Sequence, residues 1–289
     1  MRVDPRLLLM ALVLASSGIR AAGEYTVKGM VLRIDPPGTT FVVSHERIQG
    51  LMESMTMPFD VREAKELEGV VPGAIVEFTL VVGDRSSYAT NVRVRRYESV
   101  EQDPRAARRL GLLDRLMRGT PSRVTVGQPV PEFTLIDQAK QPVSLASLRG
   151  KVVALNFVYT RCALPQFCLR MSNAFSVLQQ RFKPQFGREL VLLTVTFDPA
   201  RDRPEVLAKY ASQWNADPNM WHFLTGSVAD VRRVCATFGI DAFPDDGLMN
   251  HSLRSLVIDR QGKLAASVEG NEFTPEQLGD LVLAVLNAN

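Results

Sequence analysis

Residues 158–168 have the sequence Val-Tyr-Thr-Arg-Cys-Ala-Leu-Pro-Gln-Phe-Cys, and this stretch decides the fold of the second half of the chain. It follows an apolar run, residues 152–157, that is typical of a buried parallel strand. It precedes residues 171–182, in which apolar side chains recur at helical spacing. Two thiols therefore lie on a loop between a central strand and a helix, where open α/β sheets place their chemistry. The N-terminus of that helix would favour thiolate over thiol.

The two thiols, Cys162 and Cys168, are six positions apart, so on a regular helix they would point to different faces. We expect the intervening residues to bulge, because Pro165 resists helix continuation from its N-terminal side. Once the loop bulges, the sulfurs can form a disulfide or act as two soft ligands for one metal. A third candidate ligand, His251, precedes a predicted strand, residues 253–258. Two cysteines and one histidine without a fourth ligand suit Cu(I) better than structural zinc, which requires a closed tetrahedron.

From about Val126 onward the chain resembles the SCO/SenC family, thioredoxin-fold copper proteins tied to assembly of the copper site of cytochrome oxidase. The matching segments are residues 127–135, 157–162, 197–202 and 251–252. The resemblance implies copper at the cysteines and the histidine, and an oxidase subunit or another periplasmic copper protein as the client. The usual family spacing is Cys-x3-Cys, whereas this chain has Cys-x5-Cys, so the effect of the longer loop on coordination geometry stays open.

Length and charge exclude some functional classes. The chain has 289 residues, enough for two domains, and its fractions of charged (22%) and hydrophobic (46%) residues are ordinary for a globular protein. The net charge is +3, and the leader at residues 1–22 carries three arginines against one aspartate, so the remainder is nearly neutral. No electrostatic argument for nucleic-acid binding follows from this balance.

Residues 1–22 form a short basic segment, an apolar run too short to span a bilayer, and small residues that suit cleavage. We interpret them as a signal peptide, which predicts a periplasmic protein, with an uncleaved membrane anchor as the alternative. Only three cysteines follow, so a disulfide scaffold is excluded and at least one thiol stays unpaired within the chain. Cys235 lies in an amphipathic helical pattern and is interpreted as a small buried hydrophobe.

The strand pattern predicts that residues 23–98 form an all-β domain, a small OB-like barrel of about five short strands. This barrel carries four candidate soft ligands, namely His45, Met52, Met55 and Met57. Met55 and Met57 are two positions apart, so on a strand they share one face. Thioethers accept Cu(I) or Ag(I) and not hard cations. The alternative is that the methionines only fill the core.

The same segment resembles the CusF family of periplasmic copper-binding barrels, whose motif is a histidine followed by Met-Thr-Met. Residues 55–57 match that motif, and His45 precedes it. In CusF a tryptophan caps the metal three residues before the first motif methionine. Met52 has that place here, so the resemblance implies Cu(I) or Ag(I) binding with a third thioether in place of the aromatic cap.

The sequence predicts that residues 99–123 are a linker, with one arginine-rich amphipathic helix at residues 104–117. It predicts that residues 124–289 form an α/β thioredoxin-like domain. The linker helix is interpreted as a solvated connector, with contact to an anionic membrane surface as the alternative. The final helix begins at Pro275, with Thr274 as its cap and Gln277 completing a capping box.

Four other side chains belong either to the predicted site or to the structure around it. Asp198 ends a strand at the same sheet edge as the thiols and either belongs to the site or caps the next helix. His222 lies in a buried-looking strand and is interpreted as structural. Tyr159 and Arg161 flank the predicted site and can tune the pKa of the thiols.

Four functions remain open from the sequence. The first is a copper chaperone that holds Cu(I), with Cu(II) left open, at both domains. The second is a thiol–disulfide oxidoreductase, with Cys162 attacking, Cys168 resolving, and a thiol reductant protein as its partner. The third is a peroxiredoxin-like peroxidase, which would leave His251 and the methionines unexplained. The fourth is a copper-tolerance binding protein without an oxidase client. Whether the chain is an enzyme is thus undecided at this level.

Overall fold

The computed structural model describes residues 23–95, 123–162, 165–185, 187–240, 242–245, 248–251 and 253–288, and gives the backbone alone for 165–166, 242–245 and 248–251. The predicted signal peptide and the predicted linker helix lie outside the described residues. Within those residues, no helix combines the length and the apolar character that crossing a bilayer requires.

The N-terminal unit is a single antiparallel sheet. Its strands are β1 (Gly23–Asp35), β2 (Thr40–His45), β3 (Met55–Asp60), β4 (Ile75–Val82) and β5 (Ser87–Val94). The strand order is β3-β2-β1-β4-β5. A parallel bridge between Val61 and Ala89 brings the segment after β3 to β5. The sheet thus curls towards a barrel without a continuous ladder between β3 and β5 in the described residues.

Alternation along the strands separates the two faces of this sheet. On β2, Phe41 and Val43 belong to the core of the curled sheet, whereas Val42 between them belongs to a different core. Aromatic side chains pack against one another in the core of the curled sheet: the ring centroids of Phe41 and Phe78 are 5.3 Å apart, and those of Phe59 and Phe78 are 4.9 Å apart. Burying each such side chain contributes about 1.5–3 kcal/mol.

The C-terminal unit is a five-stranded sheet flanked by helices, with two small hairpins beside it. Its strands are β6 (Thr134–Ile136), β7 (Pro142–Ser144), β8 (Val152–Val158), β9 (Leu190–Thr196), β10 (Trp221–Leu224), β11 (Ala242–Asp245), β12 (Leu248–His251), β13 (Arg254–Ile258) and β14 (Leu264–Glu269). Its helices are α1 (Arg170–Arg181), α2 (Pro204–Gln213), α3 (Val228–Thr237) and α4 (Pro275–Leu286). The central order is β10-β9-β8-β13-β14, with β11-β12 and β6-β7 as separate two-stranded sheets.

The central sheet is mixed. Strands β10, β9 and β8 are parallel, and β13 runs antiparallel to both β8 and β14. Every residue of β8 and β9 is buried, as a strand covered on both faces requires. The capping box predicted at the start of α4 is present, since Thr274 accepts from the backbone of Gln277 and the Gln277 side chain accepts from that of Thr274. The predicted fold class, a small all-β unit followed by a thioredoxin-like α/β unit, is confirmed, and the predicted barrel is a curled five-stranded sheet that is not closed by a ladder in the described residues.

The two units pack against each other. The outward side chains Met30, Leu32 and Val42 of the barrel join the hydrophobic core of the thioredoxin-like unit, where β1 and β2 contact α4. At the sheet edge the backbone N–H of Ser267 donates to Pro72 O at 3.2 Å. Gly73 has φ +91°, and a Cβ there would lie 2.7 Å from Ser267 O, so a side chain cannot be accommodated. Arg95 and Glu272 add an ion pair at 3.6 Å.

Candidate metal centres

The loop that carries the two thiols leaves the central strand in a tight turn and enters α1 through a bulge. The backbone N–H of Cys162 donates to Tyr159 O at 3.2 Å, directly after β8 ends. Residues Pro165–Leu169 form a π-helical turn, and Phe167 departs from helical geometry with φ −111° and ψ −106°. This extra loop length lets Cys168 return towards Cys162 just before α1 begins. The predicted bulge is therefore confirmed.

The two thiols are buried and hydrogen-bond to each other. That hydrogen bond is the largest cause raising the pKa of Cys168 above its usual range, burial is the next, and a backbone hydrogen bond from Tyr159 acts in the opposite direction. The expectation that the helix N-terminus favours thiolate is therefore wrong for Cys168, because the hydrogen bond with Cys162 and burial raise its pKa more than the helix lowers it. A soft cation, which displaces both protons, would relieve this penalty.

A buried carboxylate, Asp202, fixes the start of the loop. It accepts from the backbone N–H of Thr160 at 3.1 Å and from the Thr160 hydroxyl at 2.6 Å, while the Thr196 hydroxyl donates at 2.6 Å. These hydrogen bonds tie the ends of β8 and β9 together beside Cys162. Sequence reasoning included Asp202 only within a family motif and assigned it no role.

A second carboxylate, Asp198, pairs with the residue that precedes the first thiol. Arg161 Nη2 lies 3.1 Å from Asp198 Oδ2, and Arg201 Nη1 lies 3.5 Å from the same oxygen. Helix α2 begins at Pro204 with Arg203 as its N-cap, so the alternative in which Asp198 caps that helix is wrong. Asp198 instead holds the Arg161 guanidinium next to Cys162.

His251 is the last residue of β12 and lies opposite Ala242 of β11 in the hairpin register. The sequence pattern did not predict this hairpin, which consists of two strands of four residues, one of them containing Pro244. The His251 side chain lies outside the described atoms, so its approach to the thiols stays a prediction. In the part of the chain that is described, no three histidine, cysteine or acidic side chains come together as a metal site.

Two residues that the sequence analysis placed outside the site lie where expected. Cys235 is buried in α3, and burial raises its pKa to about 12. His222 lies on β10, where its Nδ1 is 3.1 Å from Asp137 Oδ2. Both are accounted for by local packing and hydrogen bonding.

We expect Cys162 and Cys168 to form a disulfide when metal is absent, because their sulfurs are already in contact. Mild oxidation of the metal-free chain, followed by denaturation and thiol counting, should find one free thiol. Peptide mapping should place that thiol at Cys235, because it is buried in α3 and the other two thiols are paired with each other. Three free thiols would contradict the assignment.

The barrel offers a separate candidate centre around His45. This side chain is 2% exposed, and its Nδ1 lies 2.7 Å from Glu46 O. A carbonyl oxygen only accepts, so Nδ1 is the donor, and in the neutral ring Nε2 is then the nitrogen with the lone pair. Nε2 is buried and has no hydrogen-bond partner. A buried, unpaired imidazole nitrogen is costly, and a metal ion is one partner that would satisfy it.

Two methionines share a face with this imidazole. In the β2–β3 ladder His45 is opposite Met55, and Val43 is opposite Met57. Directly opposed residues of an antiparallel pair project to the same side, as do residues two apart on one strand, so all four lie on one face. Met57 is partly buried against the barrel core, whereas Met55 is 53% exposed, which argues against core filling as its role.

The loop between β2 and β3 supplies the third thioether. Met52 forms a bridge with Ile48 and packs against the barrel core beside the ladder. On β1, Gly29 is opposite His45, and a Cβ at Gly29 would lie 2.5 Å from Ser44 O and 2.7 Å from the Cα of His45. The close approach of β1 and β2 at the histidine therefore requires glycine. The donor set of one imidazole and three thioethers fits a soft monovalent ion.

Comparison with known proteins finds a family match for each of the two units. Residues 124–287, more than half of the chain, match the family model described as SCO1/SenC. Residues 24–94 match the family model described as "Copper binding periplasmic protein CusF". Both resemblances given in the sequence analysis are thus confirmed. The second description names copper, the metal that the sequence predicts.

Individual relatives match the C-terminal unit. "Protein sco1" of Schizosaccharomyces pombe is 30% identical over 164 residues, which are 53% of this chain and 60% of that protein. "SCO1 protein homolog" of Bacillus subtilis is 27% identical over 154 residues, 50% of this chain and 76% of the relative. The solved structure of Bradyrhizobium japonicum ScoI with copper bound aligns with 26% identity and a TM-score of 0.46, covering 56% of this chain and 99% of that one. The chain thus spans less than two thirds of the fission yeast relative.

Proposed function

Because the chain belongs to the SCO1/SenC family, we propose that it is an extracytoplasmic copper-binding chaperone with two copper centres. The observation that carries this proposal is the pair of buried, mutually hydrogen-bonded thiols at the entrance to α1. Cys162 and Cys168 would each give up a proton and bind one copper ion as thiolates, with His251 as the third ligand. Arg161, held by Asp198, would offset negative charge at that centre.

The second centre is the barrel. There Nε2 of His45 and the thioethers of Met52, Met55 and Met57 would hold Cu(I) as a neutral donor set. Support comes from the unpaired Nε2 and from the shared face of the ladder. Because the set carries no negative charge, it favours Cu(I) or Ag(I) over Zn(II), which prefers thiolate or carboxylate.

A thiol-redox function is the second candidate, and the contact between the two sulfurs favours it. The Cys162 thiolate would attack a client disulfide and form a mixed disulfide, releasing one client thiol. Cys168 would then attack Cys162, releasing the second client thiol. The client gains two electrons and two protons, and the chain is left with a Cys162–Cys168 disulfide. The two functions are compatible, since a client must have reduced cysteines before it accepts copper.

We propose a periplasmic location and a client that is a cytochrome c oxidase subunit or another periplasmic copper protein. The description of the matched barrel family as periplasmic supports the location. Family membership supports the client class. A thiol reductant protein would return the chain to its dithiol form after each round of client reduction.

The test is an anaerobic Cu(I) titration of the full-length mature chain against a chromophoric Cu(I) chelator. We expect two copper ions per chain. Variants of the thiol centre should lose one ion, and variants of the barrel centre should lose the other. A stoichiometry of one that no barrel variant alters would restrict the function to the thioredoxin-like unit.

A further inference from the structure

The two ligand-bearing strands of the barrel have a second face, and this face touches the other unit. In the β2–β3 ladder Ser44 is opposite Thr56. This pair lies between the His45–Met55 pair and the Val43–Met57 pair, and it projects to the opposite side because side chains alternate along a strand. The residues between the candidate ligands thus face away from the metal side.

One carboxylate of the thioredoxin-like unit holds that intervening pair. Asp280 Oδ2, on α4, accepts from the Ser44 hydroxyl at 2.8 Å and from the Thr56 hydroxyl at 3.0 Å. Asp280 Oδ1 accepts from Arg181 Nη2 of α1 at 2.6 Å. One turn earlier on α4, Gln277 Nε2 donates to Ser44 O at 3.0 Å. The Asp280 carboxylate therefore accepts from three donors, and two of them lie on the ligand-bearing strands β2 and β3.

Strand β3 needs such a contact. In the described sheet it lies at the edge, with β2 as its only ladder partner, yet it carries Met55 and Met57. A shift of β3 by one residue would turn both thioethers to the other face. The hydroxyl of Thr56, between the two methionines, fixes β3 to the same carboxylate that holds Ser44 of β2. The relative position of imidazole and thioethers is thus set partly from outside the barrel.

We propose that Asp280 is a positioning residue for the metal centre of the barrel, acting through Ser44 and Thr56 on the strands that carry the ligands. This inference rests on the proposed copper site. It adds that the affinity of the barrel depends on a side chain of the thioredoxin-like unit, so that docking and copper binding at the barrel are linked.

The linkage can be measured in the full-length chain by Cu(I) competition with bathocuproine disulfonate, with the thiol centre inactivated by Cys162→Ser in all samples. Asp280→Ala should weaken Cu(I) binding about tenfold, because hydrogen bonds to a charged group are lost. Thr56→Val, which keeps the shape but removes the hydroxyl, should weaken it about threefold or more. Thr56→Ser, which keeps the hydroxyl, should restore binding to within about twofold. In the Asp280→Ala background, Thr56→Val should weaken Cu(I) binding little further, since both substitutions remove the same Thr56–Asp280 hydrogen bond.

Two further samples distinguish positioning from general docking. Glu272→Ala removes the inter-unit ion pair with Arg95, which does not touch the ligand strands, and should leave Cu(I) affinity unchanged. In Ag(I)-loaded protein, the methyl NMR signals of Met55 and Met57 should differ between wild type and Asp280→Ala, because the position of β3 has changed. Equal weakening by Glu272→Ala, or additive effects of Thr56→Val and Asp280→Ala, would overturn the proposal.

The reference variant Met55→Leu/Met57→Leu separates the two levels of inference. If it keeps full Cu(I) affinity, the barrel centre itself is wrong. If it loses affinity while Asp280→Ala and Thr56→Val match wild type, the centre stands and the positioning role of Asp280 is refuted. Thr56 is exposed, so its substitution should leave the fold intact. If Asp280→Ala fails to fold, the Thr56→Val and Thr56→Ser variants still decide the positioning role.

Discussion

Replacing Cys162 with serine should abolish copper binding at the thioredoxin-like centre and leave one copper per chain at the barrel. A hydroxyl is a hard, weakly acidic group that does not replace a thiolate on Cu(I). Loss of an outer-shell partner alone costs roughly 10–100-fold in metal affinity, so loss of a direct ligand should cost more than about 100-fold. Anaerobic Cu(I) titration with metal analysis after desalting measures both stoichiometry and affinity.

The matched control for this variant is Cys235→Ser. It removes a thiol of similar burial from α3, outside the loop that carries Cys162 and Cys168, and should change neither stoichiometry nor affinity. His251→Ala is the complementary variant, since it tests the third ligand predicted from the sequence. If Cys162→Ser and His251→Ala both retain the wild-type copper content, the cysteine–histidine centre is wrong.

Much of the fold and part of this centre could be predicted because their causes are local. The apolar run before Tyr159 determines a buried strand, and Pro165 together with the six-residue separation of the thiols determines the bulge. The capping box at Thr274 follows from residue types three positions apart. Each of these features depends on neighbours in the chain, which a sequence displays directly.

The features that the sequence did not predict depend on distant partners. The raised pKa of Cys168 comes first from its hydrogen bond with Cys162 across the bulge and then from burial by the rest of the unit, which the sequence does not display. Asp198 pairs with Arg161, 37 positions away, rather than with the nearby helix. Asp280 meets Ser44, 236 positions away, across two units. No periodicity or motif records such contacts.

The packing of the two units also bears on how copper would move. The thiols lie at the N-terminal entrance to α1, whereas Arg181, the last residue of that helix, binds the Asp280 that holds the barrel strands. A helix of this length is about 18 Å long. The ligand face of β2 and β3 also points away from α4. Direct ligand exchange between the two centres would therefore require the units to separate or a second molecule to carry the ion.

The second large effect concerns the barrel. We expect Met55→Leu/Met57→Leu to lower Cu(I) and Ag(I) affinity at this centre by more than about 100-fold, because leucine has no lone pair to donate. The exchange nearly conserves volume and costs less than about 1.5 kcal/mol of folding stability, and exposed Met55 contributes little packing. Thermal unfolding monitored by circular dichroism should therefore remain close to wild type while competition titration shows the loss.

Met220→Leu is the matched control, because it exchanges a partly buried thioether in the thioredoxin-like unit and should leave barrel affinity unchanged. Met52→Leu should weaken Cu(I) binding without abolishing it, since His45 and the two strand methionines remain. Zn(II) should bind neither the wild-type barrel nor the variants, because the donor set is neutral. Full Cu(I) affinity in the double variant would mean that these methionines only fill space. The buried Nε2 of His45 would then require a different partner, because burying it without a hydrogen bond destabilises the fold.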